Sequence, residues 1–327
     1  MHQILNCIDA GSEYCPCYLA ETGECIMCSQ LQGKVFCDCR SWKGVCIYQE
    51  YVWNRNQMKE GRRTSLSTII EKKVLMEAVM LLKIQVSRTL ARELNQPGAY
   101  VFMRDVKNPA FFDTPMSVMR ANEEEGTIEI AIQIRGVKTK SLQELGTEIL
   151  IRGPYWNGLL GLKYLKGLSH GKALLVTRGI AQAPALPVAR KLILSGNSVD
   201  VILDKGRAGI NFTEEYFKEL GCQVIYKPVL NGKTLTLPEE TRELIRQYIV
   251  EKGINLIYSG GSDKLHEGIG ELLAGLKSDV YFTCSNDAKF CCGEGVCGSC
   301  HTRLNDGSRI KTCKTQISPV EIFGGRE

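Results

Sequence analysis

Cysteine placement constrains this chain more than any other feature of its 327 residues. All fifteen cysteines lie towards its ends, eight before residue 47 and seven after residue 221, with none between. In the second group Cys292 is followed after four residues by Cys297, after two more by Cys300, and after a further twelve by Cys313. The first three reproduce the C-x4-C-x2-C spacing of a [2Fe-2S] loop, a short turn that wraps the cluster so that thiolates reach both irons. Within CGEGVCGSC, Gly293, Gly295 and Gly298 stand where a side chain would obstruct that wrapping. A zinc ribbon is the alternative, but such sites usually pair two C-x2-C knuckles, and the first gap here is four. Single-electron transfer is the leading expectation. Cys291 adjoins the set, but only Cys292 gives the four-residue gap; Cys222 reads as packing.

The first group is denser. Cys7, Cys15, Cys17, Cys25, Cys28, Cys37, Cys39 and Cys46 put eight thiols in 40 residues, as three close pairs and two singles. A segment of about 60 residues with so few large aliphatic side chains cannot build a core by burial alone, so metal and fold should arrive together. One or two four-thiolate sites would use these cysteines, as a second iron-sulfur cluster or as zinc. Disulfides are not expected: the N-terminus lacks the basic start and apolar stretch of an export signal, and the cytosol keeps thiols reduced. A cytoplasmic location follows. No run of about 18 uncharged apolar residues exists, so no membrane span is expected. The formal charge of +5, from 41 basic and 36 acidic residues, is too mild and scattered to imply nucleic acid.

Between the two groups the texture changes twice. From about Glu71, VLMEAVMLLKIQV, AYVFM and TIEIAIQI are parted by NQPG, KNP and EEEG, which reads as a small antiparallel β-barrel ending in GTEILIRGPYWNG. From Lys172, apolar strands ALLVTR, VDVILD, CQVIYK, INLIYS and DVYFTC alternate with amphipathic helical stretches, which reads as a parallel α/β sheet. Ligands of such sheets sit at the carboxyl ends of the strands, which singles out TRGIAQAP at 177–184 and SGGSDK at 259–264. Ordinary tight turns between strand and helix would equally account for Gly179, Gly260 and Gly261. The expected architecture is a multidomain α+β chain: a Cys-rich metal-binding segment (1–60), a flavin-type barrel (61–160), a nucleotide-type α/β domain (161–283) and a [2Fe-2S] module (284–327). No hydrolase triad or metal-bound general base is visible.

That order of barrel, nucleotide-type sheet and cluster loop resembles the ferredoxin-NADP reductase superfamily, most closely dihydroorotate dehydrogenase electron-transfer subunits and their sulfide dehydrogenase-like relatives. NQPGAYVFM resembles the family's PGQF strand, PMSV its flavin-contacting segment, GVKTKSL its G-x-x-T turn and GPYWNG its GPLGNG. The resemblance implies FAD along Pro115, Met116 and Ser117, with its diphosphate near Gly136 and Thr139. It places NAD(P) at Arg178, Gly179, Gly260 and Gly261. The family's usual arginine before the flavin motif is replaced by Thr114, preceded by Asp113, and its run of nucleotide-side glycines is thinned. The implied activity is that of an electron-transfer subunit relaying between NAD(P)H or ferredoxin and a catalytic partner oxidoreductase in a hetero-oligomer. A self-contained NAD(P)H:acceptor reductase, and a structural or regulatory subunit that has lost flavin or nucleotide, are the alternatives.

Overall fold

The computed structural model describes residues 5–38, 42, 44–76, 78–286 and 289–324; Cys39 lies outside the described residues. The chain divides into two compact units, residues 1–63 with 288–317 and residues 64–287 with 318–327. The first unit opens with strand β1 (Asn6–Cys7), helix α1 (Tyr18–Glu21), a 3-10 turn at Gln30–Gln32 and helix α2 (Ile47–Trp53). Apolar burial in this stretch centres on Ala20, Leu31 and Ile47, edged by Cys15, Cys25, Met27, Cys28 and Tyr51. At about 1.5–3 kcal/mol for each large side chain fully buried, so small a cluster cannot offset the entropy of ordering the segment.

In the second unit β2 (Thr64–Met76), β3 (Val79–Gln85), helix α3 (Arg88–Leu94), β4 (Tyr100–Arg104), β5 (Thr114–Ser117), β6 (Arg120–Asn122), β7 (Thr127–Gln133), helix α4 (Val137–Ser141) and β8 (Glu148–Tyr155) come first. The strands form one antiparallel sheet in the order β5-β4-β8-β2-β3-β7-β6. Alternation along β3 and β7 sends Met80, Leu82, Ile84, Ile128, Ile130 and Ile132 into one core, which Val101, Met103 and Met116 join. The expected barrel is not closed among the described residues: β5 and β6 are the two open edges of the ladder. These edges are nonetheless consecutive in the chain. Val118 and Met119 alone separate them, donating their N–H groups to Ala99 O at 3.0 Å and Glu129 O at 2.9 Å. The sheet curls until its edges approach at this two-residue corner.

Next come β9 (Leu159–Leu160), helix α5 (Leu162–Gly167), β10 (Lys172–Arg178), helix α6 (Gln182–Leu194), β11 (Ser198–Asp204), helix α7 (Glu214–Glu219), β12 (Gln223–Tyr226), helix α8 (Glu239–Val250), β13 (Leu256–Gly260), helix α9 (Asp263–Leu276) and β14 (Tyr281–Ser285). They build the sheet β12-β11-β10-β13-β14-β9, parallel except for β9. The runs Ala173–Thr177 and Leu256–Gly260 are wholly buried, as strands covered on both faces must be. Strand order reverses at β10, whose neighbours are β11 and β13, so the switch-point crevice lies beyond the carboxyl ends of β10 and β13. No helix among the described residues is long and apolar enough to cross a membrane.

The chain then returns to the first unit. β15 (His301–Arg303) and β16 (Arg309–Lys311) form a hairpin, and β17 (Thr315–Gln316) runs antiparallel to β1, Asn6 opposite Gln316 and Cys7 opposite Thr315. Four charges pack beside this pairing. Lys314 Nζ lies 2.6 Å from Asp9 Oδ2 and 2.7 Å from Glu294 Oε2, while Arg62 donates to Asp9 Oδ1 at 2.8 Å and to Glu294 at 3.3 Å. Asp9, Arg62 and Lys314 are almost wholly buried, and the two positive and two negative charges cancel, which is the condition for burying them together.

Candidate functional site

In the loop from Cys292 to Cys300, Gly293, Gly295 and Gly298 adopt left-handed φ of 73°, 75° and 71°, a conformation that glycine takes without strain. The resulting turns aim backbone N–H groups at sulfur: Glu294 N–H lies 3.3 Å from Cys292 Sγ. Cys313, from the segment between β16 and β17, reaches the same place and hydrogen-bonds both Cys292 and Cys300. Sharing that thiol hydrogen lowers the Cys292 and Cys300 thiols below their ordinary range and raises Cys313. The four sulfurs are thus brought together, in the number that ligates a [2Fe-2S] cluster. Cys300 and Cys313 are buried and Cys297 is exposed.

The described N-terminal cysteines fall into two groups. Cys7, Cys15, Cys17 and Cys25 line one small cavity; Cys28, Cys37 and Cys46 line another. Burial pushes the thiols of the first four upward, Cys15 to about 12. Among the described residues no group of three or more His, Cys, Asp or Glu side chains is arranged around a single metal ion.

In the second unit, Pro115, Met116 and Ser117 lie on β5. Met116 turns into the sheet core, while Pro115 and Ser117 share the other face with Phe102 and Tyr100, their partners on β4. One side of β5 has no partner strand among the described residues, leaving backbone groups there for a hydrogen-bonding ligand. Thr114 Oγ1 is spent on Phe112 O at 2.8 Å. The cations come from neighbouring strands: Arg104 of β4 pairs with Asp113, and Arg152 of β8 donates to Asp113 Oδ2 at 3.0 and 3.1 Å while lying 4.5 Å over the Phe102 ring. Arg104 Nε is buried without a partner. Lys138 Nζ reaches Asp113 O at 3.1 Å, which brings the turn containing Gly136 and Thr139 to the start of β5. Thr139 Oγ1 accepts the N–H groups of Arg135 and Gly136, so its hydroxyl shapes the turn, and the space where a Gly136 Cβ would stand is open.

At the switch point Arg178 Nε is held by Asp204 Oδ2 at 3.0 Å, and Asp204 also accepts the Gly206 and Val229 N–H groups. Gly260 lets β13 approach the turn after β10: a Cβ there would stand 3.1 Å from Ala181 O and 3.3 Å from Thr177 Cγ2. At Gly261 it would stand 2.8 Å from Leu265 Cδ2. Close packing therefore accounts for both of these glycines. The turn at Gly179–Ala181 also lies against β7, so the flavin-type and nucleotide-type segments are neighbours. Below the crevice His266 is fully buried, Nδ1 2.7 Å from Ser259 Oγ and Nε2 3.3 Å from Ser285 Oγ, and burial lowers its pKa to about 3.

No family model matches the chain. Over 222 residues it is 25% identical to the electron transfer subunit of dihydroorotate dehydrogenase B (NAD(+)) from Shouchella clausii, covering 67% of this chain and 81% of that one. A solved NADH-dependent reduced ferredoxin-NADP oxidoreductase superposes with a TM-score of 0.61 at 21% identity, over 79% of this chain and 90% of that one. The chain shares its fold with that oxidoreductase. A ferredoxin reductase of carbazole 1,9a-dioxygenase has the same fold, with a TM-score of 0.50 at 15% identity over 65% of each chain. Sequence reasoning singled out Pro115, Met116 and Ser117, which lie on β5, but did not name Arg104 and Arg152 beside them. The available signal was Asp113, a carboxylate beside a proposed diphosphate site, which needs cations of its own.

Proposed function

We propose that this chain is an iron-sulfur flavoprotein subunit that relays electrons between NAD(P)H or ferredoxin and a catalytic partner oxidoreductase. The observation that carries the reading is the convergence of Cys292, Cys297, Cys300 and Cys313 on a left-handed glycine loop, in a chain with a reductase fold. Similarity to a subunit named for electron transfer supports the hetero-oligomeric role. Bound flavin and a [2Fe-2S] centre together supply the conversion between two-electron and one-electron transfer. The residues present fit both groups. Four thiolates match the ligand count of the centre. For FAD, the free edge of β5, the open space at Gly136 and the cations Arg104, Arg152 and Lys138 form a cradle of suitable charge.

In this reading Pro115 and Ser117 orient the flavin from the outward face of β5, while Met116 anchors that strand in the core. Arg178 and the turn at Gly179 would face the nicotinamide nucleotide beyond β10, with Asp204 fixing the guanidinium. Residues 1–60 would carry a further iron-sulfur centre or zinc and dock the partner. A second reading, a subunit without nucleotide exchange, is favoured by the tight packing at Gly260 and Gly261. Anaerobically purified protein is expected to contain FAD, iron and sulfide and to reduce an artificial dye with NADH or NADPH. Cofactors without dye reduction would favour the second reading, and absence of flavin and iron after reconstitution would overturn the first. Cys297→Ser should abolish or strongly perturb the rhombic EPR signal of the reduced protein.

A further inference from the structure

We propose that Cys7, Cys15, Cys17 and Cys25 are the four ligands of a second iron-sulfur cluster, seated directly against the C-terminal cysteine loop. This deepens the function proposed above. Its position beside a [2Fe-2S] centre rests on that reading, whereas the four-thiol site does not.

Three separate stretches of chain deliver these thiols to one cavity. Cys7 is held on β1, whose partner β17 begins two residues after Cys313. Cys15 and Cys17 flank Pro16, whose carbonyl accepts the Lys59 N–H at 2.9 Å, and Cys17 immediately precedes α1. Cys25 comes from the following loop, where its carbonyl accepts the Gln32 side chain at 2.5 Å. All four are free thiols. Leu19 and Ile47 close the apolar wall of the cavity. Four sulfurs on an otherwise largely apolar lining make the usual ligand set of an iron-sulfur cluster. A single zinc ion needs all four sulfurs within about 2.3 Å of one point, whereas a multi-iron core spreads its ligands more widely. The cavity adjoins a loop that itself fits an iron-sulfur cluster, which favours iron-sulfur over the zinc clip.

The neighbouring loop is equally specific. Leu19, two residues beyond Cys17, packs on Gly295 between Cys292 and Cys297, where a Cβ would stand 3.2 Å from Leu19 Cδ1. Lys314, next to Cys313, is clamped by Asp9, two residues beyond Cys7. Both cysteine sets therefore belong to one packed unit, and the two centres would be immediate neighbours.

The test uses the full chain, reconstituted anaerobically with ferrous iron and sulfide, alongside Cys17→Ser, Cys25→Ser and Cys297→Ser. Iron and sulfide in the two N-terminal variants should fall to about two each per chain, with the C-terminal EPR signal retained as evidence that the unit is folded. Cys297→Ser should lose that signal and keep the N-terminal iron. The fully reduced wild type should give a spectrum broadened by spin interaction, absent from every variant. Unchanged iron in both N-terminal variants, or zinc in place of the second iron complement, would overturn the proposal. So would loss of both centres from each N-terminal variant, since no separate site would then exist. If Cys297→Ser leaves the spectrum intact, the C-terminal reading fails and the claim of adjacent clusters fails with it, while iron lost from Cys17→Ser still marks the four-thiol site.

Discussion

Arg104 and Arg152 both close on Asp113, leaving one net positive charge among these three side chains at the head of β5. A charge-assisted hydrogen bond is worth about 1.5–3 kcal/mol, so Arg104→Met should weaken FAD binding roughly 10- to 100-fold, measured by flavin fluorescence on titrating the apoprotein. Asp113→Asn should have the opposite sign, because it releases a guanidinium; weaker binding in that variant would show that the carboxylate positions the arginines. His266 gives a pH prediction. Its folded value of about 3 lies below the ordinary 6.5, so the unfolded chain binds the extra proton between those limits. Stability from this group is complete above about pH 6.5 and declines towards pH 3, by up to ~1.4 kcal/mol per pH unit. Urea unfolding at pH 7 and pH 5 should show that decline in the wild type and a shallower one in His266→Asn. At this scale the cysteine spacing was legible because a loop of nine residues contains its own geometry. Arg104 and Arg152 were not, since only strand pairing brings positions 104, 113 and 152 together.

The helices and strands of the second unit follow from local pattern. Apolar runs such as Leu174–Val176 and the amphipathic stretches between them leave little choice but a parallel sheet covered on both faces. Closure of the antiparallel sheet was another matter. Strand-length apolar segments separated by turns fit a barrel or an open curled sheet alike, and a corner of two residues, Val118 and Met119, decides between them. Packing between elements hides in small residues too. On α9, Gly270 lies so close to helix α10 (Val320–Phe323) that a Cβ would come within 2.2 Å of Phe323 O. Gly270→Ala should therefore cost about 1–3 kcal/mol by overpacking, even though alanine is the better helix former. An unchanged midpoint in chemical denaturation would mean that α10 simply moves away.

Composition indicated that residues 1–60 could not fold on apolar burial alone, but not where their support comes from. The structure supplies it from the other end of the chain, through β17, Glu294 and Lys314. Removing one member of a buried ion network costs about 3–5 kcal/mol, so Lys314→Met should lower the unfolding midpoint of this unit in denaturant, with little effect on the other. Deleting residues 1–63 should leave the C-terminal EPR signal and the cooperative unfolding of residues 64–287 in place; loss of the signal would show that the C-terminal loop depends on the segment packed against it. The β1–β17 pairing also bears on how the protein is made. Its partners lie about 310 residues apart, so at ~5–20 residues per second a ribosome needs roughly 15–60 s to deliver the second after the first. Through that interval the nascent N-terminal thiols lack the segment that completes their unit, so they are most open to oxidants and to stray metals before synthesis ends.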